Sequence, residues 1–433
     1  MKKLIYLIII TLIFSNSNLF AQSLGTVNFE TKNASVQNKY LQDSLDNIDH
    51  LLKKAIDEKW IAGAVAFVAI DGEIVYNKAF GHKNISQNNN MAVDDIFRIA
   101  SMSKPITSIA IMKLQEAGKL NYDDPVSKYI PEFANPKILI DVNPSDSSFT
   151  SKPAKNEITI HHLLTHTSGI SYGFADTTMN KLYSKAGIID LTTLKPIRIE
   201  ENVAKLGQIP IKHEPGEKFT YGLGIDVLGR VVEVASGMSF DAYLKENIFD
   251  PLEMNDTRFY FDDDAHASRL TTMYANTRSE PLVEFPEDPN RDLSGNFPIK
   301  GAKTYFSGGA GLSSTAQDYF KFCQMVLNDG EYDGVRILKK ETIQNAKKNM
   351  IGDVRVGKDH FSYGYQIAAI DGDLRFGRKP GKISWGGAFQ TTFWMDPTRG
   401  VVAILLTQVY PSIHSQKLYG PFEQTVNGAV LED

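Results

Sequence analysis

Two apolar runs joined by a two-residue turn constrain the fold more than any other feature of this chain. Ala62 to Ile70 and Glu73 to Phe80 are strand-like, and Asp71-Gly72 between them is a strong hairpin signal. A lone hairpin cannot shelter its apolar faces, so it needs further strands. Stretches rich in aromatic and β-branched residues return near 362–370, 389–395 and 401–408, at the other end of the chain. A helical pattern runs from Leu41 to Lys59, and Asn121 to about Pro298 reads as mostly helical, with polar excursions at 141–157 and 261–300. The expected class is α/β (α+β): one antiparallel sheet built from both chain ends, flanked by helices, with a mostly helical lobe inserted. The α/β lobe would take about 41–100 and 301–433, the helical lobe about 101–300, in a single unit spanning 22–433.

Composition narrows the function. With 42% hydrophobic and 22% charged residues, the chain has apolar content enough for a large core. A net charge of −5 without a long basic run argues against a nucleic-acid surface. Lys2-Lys3, the apolar Leu4 to Phe14 and then Leu19-Phe20-Ala21 read as a signal peptide over residues 1–21, cleaved after Ala21. That apolar stretch is too short for a stable membrane span, so a periplasmic or secreted protein is expected. The single cysteine, Cys323, sits in an apolar helical pattern and reads as a buried small hydrophobe.

Ser101-Met102-Ser103-Lys104 opens a segment that is apolar on nearly every side as far as Gly118, the pattern of a buried helix. A spacing of three places a serine and a lysine on one face, one turn apart. A lysine so placed can take part in moving the serine hydroxyl proton, which makes Ser101 a candidate nucleophile. The same spacing also suits a serine-capped helix start, so the motif needs support from elsewhere.

That support comes from several segments in a fixed order. They are Ser101 and Lys104; Gly118-Lys119-Leu120 with Asp123-Asp124-Pro125-Val126; Leu163-Leu164-Thr165-His166-Thr167-Ser168-Gly169-Ile170; Pro215-Gly216-Glu217 before Tyr221; Pro251-Leu252 with Met254; and Gly309-Ala310-Gly311-Leu312-Ser313-Ser314. Together they resemble the serine β-lactamase and penicillin-binding-protein superfamily, particularly its class C and esterase branch, over about residues 60 to 410. The resemblance implies a β-lactamase/transpeptidase-like fold and an acyl-enzyme mechanism without a cofactor. In it Ser101 is acylated, Lys104 holds the proton network, and Tyr221 is general base and acid. It also implies that Trp385-Gly386-Gly387 stands in the third motif, with the backbone N–H groups of Ser101 and Ala388 as oxyanion hole. Leu223, Trp385, Gly386, Gly387 and Phe389 would contact substrate.

Two departures separate the branches. Leu223 stands where a β-lactamase has an asparagine, and Trp385 where it has a cation for the lactam carboxylate. Leaving a buried anion unpaired costs several kcal/mol. The pattern is closest to family VIII carboxylesterases, so short-chain esters are the expected substrates. The rivals are a β-lactamase or D-amino-acid-specific peptidase and, from another class, an inactive penicillin-binding or sensor domain. His162 and His166, four apart, carry no metal pattern, and Asp262-Asp263-Asp264 reads as a solvated loop.

Overall fold

The computed structural model describes residues 34–279, 281–287, 293–372 and 374–431; residues 1–21, expected from the sequence to be a signal peptide, lie outside them. Eight strands form the main sheet: β1 Gly63–Ile70, β2 Glu73–Asn84, β3 Asn89–Asn90, β4 His360–Phe361, β5 Gln366–Ile367, β6 Ile383–Gly387, β7 Thr391–Asp396 and β8 Val401–Leu406. Their order is β4-β5-β6-β7-β8-β1-β2-β3, antiparallel throughout. The two chain ends meet where β1 pairs with β8, Val65 opposite Leu406 and Ile70 opposite Val401. The turn between β1 and β2 has positive φ at both Asp71 (49°) and Gly72 (82°), the conformation an Asp-Gly hairpin adopts.

Every residue of β1 is buried, because both faces of the sheet are covered. Alternation therefore sorts its side chains into two cores. Val65, Phe67 and Ala69 face one core with Phe393, Met395, Val402 and Ile404. Ala64, Ala66, Val68 and Ile70 face the other with Trp394, Ala403 and Leu405. Five helices matter to this packing: α1 Asn47–Asp57, α2 Ser103–Glu116, α3 Gly224–Ser236, α4 Ala316–Leu327 and α5 Ser415–Ala429. Helices α1 and α5 close the second core, with Phe422 edge-on to Trp394 at 5.2 Å. Helices α2, α3 and α4 build the first core, where Phe320 of α4 meets Phe67 at 4.9 Å and Tyr319 meets Phe393 at 5.0 Å. Cys323 of α4 is wholly buried there, and burial pushes its thiol well above the ordinary range.

The inserted segment is less helical than its sequence suggested. Its polar excursion at 141–157 includes most of a β-hairpin, Lys137–Val142 with Phe149–Pro153. The polar run between those strands is the turn itself. The Asn143 side chain accepts from the backbone N–H of Ser145, the Asp146 carboxylate accepts from that of Ser148, and Ser147 has φ 56°.

Candidate active site

Ser101 sits in a short 3₁₀ turn, Ala100–Met102, immediately ahead of α2. Ala100 has φ 44°, a conformation that costs a non-glycine residue roughly 1 kcal/mol or more. The surroundings hold it in place. The preceding strand, Phe97–Arg98, pairs with Ser313–Ser314, and the Ile99 N–H donates to Leu312 O at 3.0 Å. The Tyr319 hydroxyl donates to Met102 O at 2.9 Å, and Ser103 Oγ accepts from Leu312 N–H at 3.1 Å. Arg98, also buried, ties this strand to Thr271 O, Gly295 O, Phe297 O and the Gln408 side chain.

From that turn Ser101 Oγ meets two other functional groups. Lys104 Nζ lies 3.1 Å away, one helical turn along α2, and Tyr221 donates its hydroxyl to Ser101 Oγ at 2.7 Å. Lys104 is fully buried. Its ammonium also donates to Gly309 O at 2.7 Å and lies 4.7 and 5.3 Å from the ring centres of Tyr221 and Tyr172. A buried cation thus has a carbonyl, a hydroxyl and two ring faces in place of water.

Tyr221 is aimed by the turn before it and by the segment at 163–170 beneath it. Gly216 (φ 89°) donates its N–H to Thr167 O at 2.8 Å, and Thr220 donates to His166 O at 2.7 Å. Gly222 lies so close to the chain that a Cβ there would stand 2.1 Å from Ile170 O. The Tyr221 ring packs against His166, Tyr172 and Trp385 with centres 4.9, 5.1 and 5.6 Å apart. Burial and the nearby Lys104 push the His166 imidazole well below its ordinary range, so it packs as a neutral ring. His162 is pushed down to about 4, chiefly by burial, and its Nδ1 accepts from Thr159 N–H. The two histidines serve different contacts. Among the described residues no three histidine, cysteine or acidic side chains group to hold a metal ion.

Strand β6 forms the opposite wall. A cleft of about 680 Å³ is lined by Ser101, Tyr221, Trp385, Gly386, Gly387 and Ala388. Gly387 permits the close approach: a Cβ on it would stand 2.3 Å from Ile99 O and 2.2 Å from Thr391 Oγ1. Trp385 is half-buried, edge-on to Tyr221 and Phe361.

Two residues expected at the substrate are elsewhere. Phe389 is buried in a small cluster with Ala100, Met273, Ala275 and Phe285, because the chain turns inward at Gln390 (φ 60°). Leu223 is fully buried at the start of α3, in the first core, and does not line the cleft. The cleft instead extends to residues that motif reading passed over: Phe174 at its mouth, and Arg378, Lys382, Tyr419 and Glu423 at its far end. Lys382 is ion-paired to Glu423 and stands 4.8 Å from the Trp394 ring centre. Arg378 lies 3.4 Å from Asp359 and 3.5 Å from Glu423. These residues share no short motif. They are brought together where α5 packs on the turn Arg375–Gly377 ahead of β6.

Comparison with known proteins gives the family and the fold. The beta-lactamase family profile matches residues 48–422. Esterase EstB of Burkholderia gladioli is 30% identical over 375 residues, 83% of this chain and 89% of its own length. Among solved structures, EstCE1, described as a hydrolase with promiscuous acyltransferase activity, superposes with a TM-score of 0.74 at 26% identity, over 89% of this chain and 98% of its own. A mutant simvastatin synthase from Aspergillus terreus shares the fold, with a TM-score of 0.75 at 23% identity over 90% of this chain and 98% of its own. The chain belongs to the beta-lactamase family, as one of its serine hydrolases.

Proposed function

We propose that this hydrolase is a carboxylesterase that cleaves small esters with short acyl chains through an acyl-enzyme on Ser101. The observation that carries the reading is the placement of Ser101 Oγ on the cleft wall, 2.7 Å from the Tyr221 hydroxyl and 3.1 Å from Lys104 Nζ. In the first step Tyr221, deprotonated beside the Lys104 ammonium, takes the Ser101 Oγ proton as that oxygen attacks the ester carbonyl. The oxyanion that forms is met by the backbone N–H groups of Ser101 and Ala388, a contribution of roughly 3–4 kcal/mol per donor in comparable sites. Tyr221, on the open side, returns a proton to the departing alcohol. Water then repeats the sequence on the acyl-enzyme, releasing the acid and free Ser101.

Ester is favoured over lactam because an indole, Trp385, occupies the position where a lactam carboxylate needs a cation. The cations further along the cleft, Lys382 and Arg378, are engaged by Glu423 and Asp359. The similarity to EstB, whose name marks it as an esterase, supports the same choice. The test is to assay p-nitrophenyl butyrate and a chromogenic cephalosporin side by side, with Ser101→Ala as control. Ester turnover that needs Ser101, with little lactam hydrolysis, is expected. Turnover retained in Ser101→Ala would sink the mechanism, and efficient lactam hydrolysis would sink the substrate choice.

EstCE1 supports a second reading, in which an alcohol replaces water in deacylation and the acyl group is transferred. The cleft's extension beyond Ser101 leaves room for an acceptor. Formation of a new ester when butyryl substrate is supplied with excess alcohol measures it. Export rests on Lys2-Lys3, the apolar Leu4 to Phe14 and Ala21, and recovery of a shortened chain from the periplasm or medium would test it.

A further inference from the structure

Behind Lys104, on the side away from Ser101, lies a buried acid that the steps above do not use. Asp226, in the first turn of α3, is fully buried. Its Oδ1 accepts from the Ser307 hydroxyl at 2.5 Å. Ser307 Oγ in turn accepts from the Ala310 N–H at 3.1 Å. That N–H shares a peptide unit with the Gly309 carbonyl, the acceptor for Lys104 Nζ at 2.7 Å. The hydrogen bonds thus run head to tail from the Lys104 ammonium, through the 309–310 peptide and the Ser307 hydroxyl, to the Asp226 carboxylate.

We infer that Asp226 is a positioning residue for the esterase reaction: its negative charge polarises this chain and holds the Lys104 ammonium on Gly309 O, in register with Ser101. The inference rests on the Ser101–Lys104–Tyr221 reading. Chains of hydrogen bonds in a dry interior strengthen one another, and here every dipole points from the cation to the anion. The site keeps Asp226 in a position that stability alone disfavours. Its Oδ2 has no hydrogen-bond partner among the described residues, nor has the Tyr172 hydroxyl. A Cβ on Gly309 would stand 2.5 Å from the first and 2.9 Å from the second, so only glycine fits between them. The ionisable groups facing Asp226 are Lys104 from α2, Tyr172 and Asp190 from the adjoining loops, and Tyr305. Burial pushes the Asp226 carboxyl up to about 6, against the pull of Ser307 and Lys104. A carboxyl raised on folding stabilises the fold at pH values below its unfolded range, and that contribution is lost as pH rises through about 6. The charged form that activity needs is therefore the form the fold tolerates least.

The experiment uses the full chain on p-nitrophenyl butyrate, with Asp226→Asn, Ser307→Ala and the double variant. Each single change should lower kcat/KM by about tenfold or more, acting on kcat rather than KM, and the double variant should be no worse than the worse single. The ratio of wild-type to Asp226→Asn activity, followed between about pH 5 and pH 8, should rise through a bend near pH 6. Thermal unfolding at the alkaline end should show Asp226→Asn more stable than wild type, which a merely structural aspartate would not give. Losses that multiply, a ratio independent of pH, or an Asp226→Asn enzyme that is less stable would each overturn the inference. If Asp226→Asn fails to fold, Ser307→Ala alone decides: a ratio of wild-type to Ser307→Ala activity that bends near pH 6 supports the chain, and a ratio independent of pH contradicts it. Lys104→Ala in the same assay separates the two readings, since its retained turnover would strike at the role of Lys104 itself.

Discussion

The two walls of the cleft are built on different principles. On one, Ser101, Lys104 and Tyr221 are each fixed by backbone bonds and glycines, and buried groups such as Gly309 O and His166 surround them. On the other, β6 offers a strand edge with Trp385, two glycines and Ala388, and it continues into ion pairs between Arg378, Lys382, Asp359 and Glu423. Under the proposed mechanism the first wall carries the chemistry and the second meets the substrate.

If that division is right, changes on the first wall should act on kcat and those on the second on stability or KM. The largest effect expected is from Tyr221→Phe, which removes the hydroxyl 2.7 Å from Ser101 and should lower kcat by about 10²–10⁴ with KM little changed. Wild-type deacylation in that variant would move the general base to Lys104. Next is Gly387→Ala, where the two walls touch. Its Cβ would collide with Ile99 O, displacing the Ser101 turn and costing on the order of 100-fold in kcat/KM. A near-normal rate there would show that the strand can yield. Lys382→Met should remove one of the cations at Glu423, lowering unfolding stability in urea by about 1–3 kcal/mol while changing kcat severalfold at most. A large kcat loss without destabilisation would place Lys382 on the chemical side of the comparison. The smallest effect belongs to Phe174→Ala at the exposed mouth, with KM raised by roughly tenfold or less and kcat intact.

The same division governs what the sequence could reveal. Ser101, Lys104 and Tyr221 are legible because each belongs to a local pattern: a spacing of one helical turn, or a Pro-Gly turn a few residues before the tyrosine. The sheet was legible because the Asp71-Gly72 hairpin needs partners and the remaining strand-like runs lie at the far end of the chain. Asp226, Arg378, Lys382 and Glu423 were not legible, since nothing local distinguishes a buried ion from a solvated one. Their partners lie tens to hundreds of residues away, as with Lys382 and Glu423. Phe389 misled for a related reason. It was expected at the substrate as an aromatic next to the Trp385-Gly386-Gly387 motif, whereas the chain turns at Gln390 and buries it beside Ala100. The hairpin at 137–153 was hidden because its turn is polar enough to pass for an extended loop.

The central claim is that Ser101 carries the acyl group. The direct measurement is to quench the enzyme with acid during turnover of p-nitrophenyl butyrate and map the product by peptide mass spectrometry. The account predicts a butyryl adduct on the peptide containing Ser101, absent from Ser101→Ala and more abundant in a variant slowed in deacylation. Turnover that proceeds with no adduct in any variant, or with the adduct on another residue, would contradict it.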